Sequence, residues 1–399
     1  MTALVAGALP GLFGGLPDTL AQPVLREVDI HGFVSEGAFV STSNDYIGKS
    51  SRGSLKMFEV GLNVSTEVSD KLRAGVQIFS REVGTLEAPP YIDWAFIDYR
   101  WRPWLGLRAG VVKMPYGLYN EYADIPAARV PILMPQSVYP VRNRDALTSH
   151  RGFAAYGNVS LAAGGELDYQ AWLGTLSIAE NALTLDGARL DDIDTKYVLG
   201  GQAFWSPPIE GLRVGGTFIQ TSIDFRLTLP QATIDALIAA GAVPADYDGS
   251  LVISQRPDRW VIGSVEYTRG SWLFAAEYAR SFKHQQTSLP AVIPTFDEDT
   301  EQLYGMATYR LSAELEVGSY YSVLHADAGD RLGKGAAFTE RFHAFQRDLA
   351  GTLRYDVNDY WMWKLEAHFI DGTADLPADA NPTPDRYWGL FLIRTTLTF

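Results

Sequence analysis

Alternation of apolar and polar side chains, sustained over stretches of ten residues or more from residue 27 to the end, restricts this chain more than any other feature. At the C-terminus Phe391, Ile393, Thr395, Leu397 and Phe399 share one parity and Arg394, Thr396 and Thr398 the other. Trp363, Leu365, Ala367 and Phe369 likewise oppose Lys364, Glu366 and His368, and Leu349, Gly351, Leu353 and Tyr355 oppose Asp348, Thr352, Arg354 and Asp356. Successive strand side chains point to opposite faces, so each stretch reads as a strand with one apolar and one polar face.

Sixteen such segments are predicted, at 27–40, 54–68, 71–82, 91–101, 105–113, 152–161, 166–175, 197–206, 212–224, 258–269, 271–284, 299–311, 313–325, 346–357, 360–372 and 385–399. Their connections alternate in length. Seven are tight and rich in turn formers, such as Arg102-Pro103-Trp104, Arg269-Gly270-Ser271 and Val357-Asn358-Asp359. Eight are longer, at 41–53, 83–90, 114–151, 176–196, 225–257, 285–298, 326–345 and 373–384.

An even strand number with short turns at one end and long loops at the other fits a barrel in a bacterial outer membrane, with the turns periplasmic and the loops external. Lipid offers no hydrogen bonds to an open backbone, so only helices and closed sheets span it. The expectation is therefore all-β: a transmembrane antiparallel β-barrel of sixteen strands. Trp101, Trp104, Trp205, Tyr267, Trp272, Tyr309, Tyr355, Tyr360, Trp361 and Phe399 gather near the tight turns, as an interfacial girdle requires. A soluble all-β binding protein would also have two-faced strands, but globular strands are usually shorter than these, and no propeller-type repeat is present.

Composition removes other classes. With no cysteine there is no disulfide framework or thiolate site, and with 33 basic against 47 acidic residues and no basic cluster the chain does not suit nucleic acid. None of the six histidines begins an H-E-x-x-H site, and no G-x-S-x-G elbow or phosphate-binding glycine loop occurs, so no enzyme, cofactor or structural metal is expected. The alternatives are an outer-membrane barrel enzyme, or a surface-binding barrel without an open pore. Asp297, Asp299 and Glu301 share one face of a strand end, where they form either a solvated acidic rim or a Ca²⁺ site.

Residues 1–17 carry no charge, and Thr19-Leu20-Ala21 presents small residues where a signal peptidase cuts. A signal peptide over 1–21 is expected, although a basic n-region is missing, with one barrel domain over 22–399. This leaves no room for an N-terminal plug. The segment 230–241 has Ile234, Leu237 and Ile238 at helical spacing and is expected to form a short helix within a loop.

Gly110-Val-Val-Lys113-Met-Pro115-Tyr-Gly117-Leu-Tyr-Asn120 is similar to the Gly-Lys-x-Lys-x-Pro-x-Gly segment of phosphate-selective-type porins. The wider stretch 93–122 resembles a group of proteobacterial porin-like proteins, and the sixteen-segment pattern resembles the general trimeric porins. The final strand ending in Phe399 resembles the signal by which barrel-assembly machinery recognises such proteins. The lysine-rich lumen of the phosphate-selective type is not evident, so the likeness implies architecture and not phosphate preference. It implies a passive channel for small hydrophilic solutes, a homotrimer, and outer-membrane lipid and lipopolysaccharide as surroundings.

In the porins it resembles, the loop after the fifth strand folds inward and narrows the pore. Here that loop, 114–151, carries five prolines, which cannot donate to a ladder. It also carries Glu121, Asp124, Arg129, Arg142 and Arg144, which are the expected charges of the constriction, the alternative being an external loop with solvated charges. By parity Arg73, Arg108, Arg213, Arg310, Arg354, Lys364 and Arg394 face the lumen, with Glu59, Asp168, Glu266, Glu277, Glu314, Glu316, Asp348 and Glu366. His31 and His368 are expected there too. Asp93 and Asp98 differ in parity, so only one can face inward in an unbulged strand.

Overall fold

The computed structural model describes residues 27–144, 148–176, 188–290, 295–335 and 338–399. The expected signal peptide lies outside them. Sixteen strands are present: β1 (Val28–Ser41), β2 (Met57–Ser69), β3 (Leu72–Val83), β4 (Leu86–Arg102), β5 (Leu105–Lys113), β6 (Ser149–Ser160), β7 (Glu166–Leu176) and β8 (Arg189–Ser206). They continue as β9 (Leu212–Thr228), β10 (Ser250–Arg269), β11 (Trp272–Thr287), β12 (Phe296–Arg310), β13 (Leu315–His325), β14 (Phe345–Asn358), β15 (Trp361–Gly372) and β16 (Tyr387–Thr398). Each pairs antiparallel with its sequence neighbours, and β1 pairs with β16 to close the barrel, which leaves no open edge. A helix, α1 (Gln231–Ala239), stands in the loop after β9, on the segment where helical spacing places one. No helix among the described residues is long and apolar enough to cross a membrane.

The alternation read from sequence sets the two faces. Ile97, Phe153, Leu173, Leu349, Leu365 and Phe369 are exposed on the outside, Phe153 by 71%. Soluble proteins rarely leave so much contiguous apolar surface bare, and here it forms a belt suited to lipid. At the tight-turn end the aromatics cluster, with Trp101 against Trp104 at 5.6 Å and Trp272 against Tyr309 at 4.6 Å between ring centroids. Their polar atoms find partners: Trp205 Nε1 donates to the Gly164 carbonyl at 2.8 Å and Trp361 Nε1 to Thr395 Oγ1 at 2.7 Å.

Phe399 lies at the seam. Phe399 and Gly32 exchange both backbone hydrogen bonds, at 2.9 and 3.0 Å. The Phe399 ring lies against Gly32 so closely that a Cβ there would sit 2.5 Å from Cζ. Gly32→Val should displace the ring and cost about 1–3 kcal/mol, as overpacking does. The check is the temperature at which the compact, heat-modifiable gel band converts to the unfolded one; an unchanged temperature would show that the ring is not part of the closure.

Three departures from the sequence pattern have local causes. The connection expected at 83–90 is only Gly84-Thr85, with Gly84 at φ 62°, because β4 begins early, at Leu86. Asp93 and Asp98 both turn inward: Gln77 pairs with Trp94 and Ile78 with Ile92, so Asp93 sits in a bulge that resets parity. Finally β8, β9 and β10 extend well beyond 197–206, 212–224 and 258–269. There the ladder is laced by ion pairs, Arg226 with Asp192 and Asp194 and Arg256 with Asp224. Above the apolar belt neither face needs to be apolar, so alternation lapses while pairing continues.

Candidate functional site

The segment between β5 and β6 reaches across to the opposite wall. Ile132 N donates to Glu366 Oε2 at 2.6 Å and Leu133 N to Oε1 at 2.9 Å. Lys364 Nζ donates to the Pro126 carbonyl at 2.7 Å and also to that of Arg129, while Arg354 reaches the Ala127 carbonyl at 2.7 Å. Proline-rich backbone has acceptors in excess of donors, and the cations of β14 and β15 meet that excess. On β11, Glu277 accepts from Leu118 N at 2.9 Å, from the hydroxyls of Ser264 and Tyr304 and from that of Tyr139. Gly117, at φ 60°, has no room for a Cβ beside Glu277 Oε1 and the Tyr139 hydroxyl. Met114, Tyr116, Leu118, Met134, Val138 and Tyr139 then pack on inward apolar side chains including Phe204, Ile262 and Tyr320. Glu366, Lys364 and Glu277 are all buried, on strands whose alternate residues form the apolar exterior, so the loop lies within the barrel.

The five loop charges fall into separate settings. Asp124 and Arg144 come together in a buried knot: Lys113 Nζ lies 2.9 Å from Asp93 and 2.5 Å from Asp124, and Arg144 3.2 and 3.4 Å from the same two. Gln77 donates to both carboxylates, and Arg144 stacks on Phe79 at 4.1 Å. Burial alone would raise the Asp124 carboxyl, but Lys113 and Arg144 hold it well below the usual carboxylate range. Arg129 donates to the carbonyls of Pro131 and Ile132, and burial lowers it to about 10 against the opposing pull of Glu366 and Asp124. Arg142 donates to the Asp375 carbonyl at 2.8 Å. The Asp375 carboxyl, raised by burial, accepts from the Tyr46 hydroxyl at 2.6 Å. Glu121 stands apart, accepting from Gln170 at 3.2 Å.

Several of the residues assigned inward by parity have inner-wall partners. Arg73 donates to Ser65 at 3.1 Å, Arg108 to Asp98 at 2.8 and 3.0 Å, and Arg394 pairs with Glu59. Arg310 lies 3.6 Å from Glu316, and His368 stands 3.0 Å from both Asp348 and Glu366. Sequence reading did not single out Gln77, Ser322 or Gln202 as loop contacts, because an inward amide or hydroxyl looks like any polar face residue until the loop is placed. Below the loop a cavity of about 210 Å³ is lined by Arg100, Arg108, Glu121, Asp168, Gln170 and Arg213. At the loop end, Asp297 pairs with His284, Asp299 with Arg280 and Glu301 with His325 and Arg331. Among the described residues no group of three His, Cys, Asp or Glu side chains is placed to hold a metal.

A closed sixteen-stranded antiparallel barrel with an apolar belt, an aromatic rim and a loop inside has the fold of porin-like outer-membrane barrels. Neither a family model nor a curated protein matches the chain. Solved structures do match its fold. The outer-membrane-expressed OmpT of Vibrio cholerae aligns at TM-score 0.57 and 12% identity over 93% of this chain and 97% of its own. An anion-selective porin from Comamonas acidovorans aligns at 0.57 and 11% over 94% and 99%. The outer membrane channel DcaP of Acinetobacter baumannii aligns at 0.53 and 12% over 94% and 97%.

Proposed function

We propose that this protein is a porin, a passive channel for small hydrophilic solutes or ions across the outer membrane. The observation that carries this reading is the cavity under the pinned loop, where Glu121 shares one space with Arg100, Arg108 and Arg213. Charges of both signs around a restricted passage sort solutes without any chemistry. On this reading Glu121 supplies the acidic side of the passage, while Asp124, Arg129, Arg142 and Arg144 act by fixing the loop. Arg73, Arg108, Arg310, Arg354, Arg394, Lys364 and Glu366 form the polar inner wall, with Arg354, Lys364 and Glu366 also anchoring the loop and Arg108, Arg310 and Arg394 paired with carboxylates. The protein is exported by a signal peptide over 1–21 and sits among outer-membrane lipid and lipopolysaccharide. It assembles as a homotrimer, a state supported by the matching fold of a structure described as the trimer form of OmpT.

Purified protein added to a planar bilayer should give stepwise ion currents, and liposomes containing it should swell in small sugars. Bilayers that stay silent and liposomes that stay impermeable would remove the proposal. Glu121→Gln should move the reversal potential in a salt gradient toward anion preference, since it removes a negative charge from the passage and leaves the arginines in place. An unmoved potential would place Glu121 off the ion path.

A further inference from the structure

On the inner wall beneath the loop, two arginines are mounted in the same unusual way. Gly215 lies under the ring of Phe204, close enough that a Cβ would meet Cδ1 at 2.3 Å, and the Arg213 guanidinium covers that ring at 4.0 Å. Gly106 lies under the ring of Tyr156, where a Cβ would meet Cζ at 2.3 Å, and Arg108 stands over Tyr156 at 5.1 Å and over Phe96 at 4.6 Å. Glycine inside a strand weakens it, so two strands give up stability to seat rings flat on the wall. A guanidinium stacked on such a ring loses the freedom of its long stem before any ligand arrives.

The two arginines differ in what they already hold. Arg108 gives Nε and Nη2 to Asp98. Among the described residues Arg213 has neither an ion pair nor a side-chain hydrogen bond, and the same is true of Arg100. Glu266, opposite Arg213 in the ladder, accepts from the Tyr119 hydroxyl instead. A fixed, unpaired guanidinium in a cavity of about 210 Å³ is a recognition element awaiting an oxyanion.

We infer that this cavity is a binding subsite for small carboxylate solutes in transit, with Arg213 as the principal contact and Arg100 as the second cation. This rests on the channel reading above. The charge balance selects the ligand class: Glu121 and Asp168 line the same cavity, bonded among the described residues only to the amides of Gln170 and Asn158, and they repel a dianion more than a monoanion. A planar monocarboxylate therefore fits better than phosphate. Phe204 is a positioning residue, acting through Arg213.

The test is block of ion current through the wild-type channel by benzoate, with uncharged benzamide and inorganic phosphate as controls. Benzoate should block, and benzamide and phosphate should block far less. Arg213→Ala should weaken the benzoate block about tenfold, the loss expected for charge-assisted hydrogen bonds. Arg213→Lys keeps the charge but not the stacked fork, so it should still weaken the block. Phe204→Leu should weaken it with the arginine intact. Equal block by benzoate and benzamide, phosphate block as strong as that of benzoate, or an Arg213→Lys channel that behaves as wild type would overturn the subsite. If wild-type protein passes no current, the channel reading fails separately. Calorimetric titration of the detergent-solubilised protein with benzoate then decides the subsite: Arg213-dependent heat supports it, and its absence overturns it.

Discussion

Conductance is expected to rise at least about twofold when Glu277 and Glu366 are both replaced by alanine, because the two carboxylates hold the inner loop to the far wall. Their removal strips acceptors from three loop amides, Leu118, Ile132 and Leu133, and from the hydroxyls of Tyr139 and Tyr304. Each buried donor left unpaired costs about 1–3 kcal/mol, so the packed position loses its advantage over a solvated one. The barrel itself should persist, since its ladders are backbone to backbone and unbroken around the closure. Single-channel recording measures the first effect, and heat-modifiable migration confirms the second. Protease cleavage within 114–148 should appear in the variant and not in the parent. A variant with unaltered conductance and an uncleaved loop would show that apolar packing alone holds the segment.

The double anchor also shows where sequence reading stops. The barrel was legible because a membrane requires each strand to keep an apolar face, and Phe391 through Phe399 or Trp363 through Phe369 display that demand residue by residue. Turn positions followed, since Asp70-Lys71 or Gly270-Ser271 can only reverse the chain. The long ends of β8 to β10 were not legible, because Arg226, Asp192 and Asp194 form a ladder outside the belt where no periodicity is imposed. Nor was the inward turn of both Asp93 and Asp98, since one extra residue in a strand leaves no mark on composition. For the loop, sequence placed Asp124, Arg129, Arg142 and Arg144 as charges facing a pore. Which of them are spent on each other or on backbone carbonyls depends on contacts hundreds of residues apart, such as Lys364 with Pro126. Alternation along one strand carries no information about that.

That distinction predicts the behaviour of the ionic knot. Asp124→Asn would remove one of the two carboxylates, Asp93 and Asp124, that Lys113 and Arg144 share. Removing one partner of a buried ion pair typically costs about 3–5 kcal/mol. The expected outcome is a loosened loop with larger, noisier single-channel currents, whereas replacement of an exposed rim charge would change selectivity only. The wild-type knot should nevertheless resist acid. A carboxyl whose folded value is lowered contributes stability that is complete above its unfolded value of about 3.9 and is lost only as pH falls through the lowered one. Asp375 has the opposite sign: its raised carboxyl contributes fully below that unfolded value and loses its contribution as pH rises through the folded one, so acid does not release its contact with Tyr46. Conductance should therefore stay level from pH 7 down through about 4, the unfolded carboxyl value, in the wild type. Recordings that showed a stepwise opening centred on about pH 4 would mean that Asp124 is solvated and titrates as an ordinary carboxyl. The loop would then be held by Glu277, Glu366 and its apolar side chains without help from the knot.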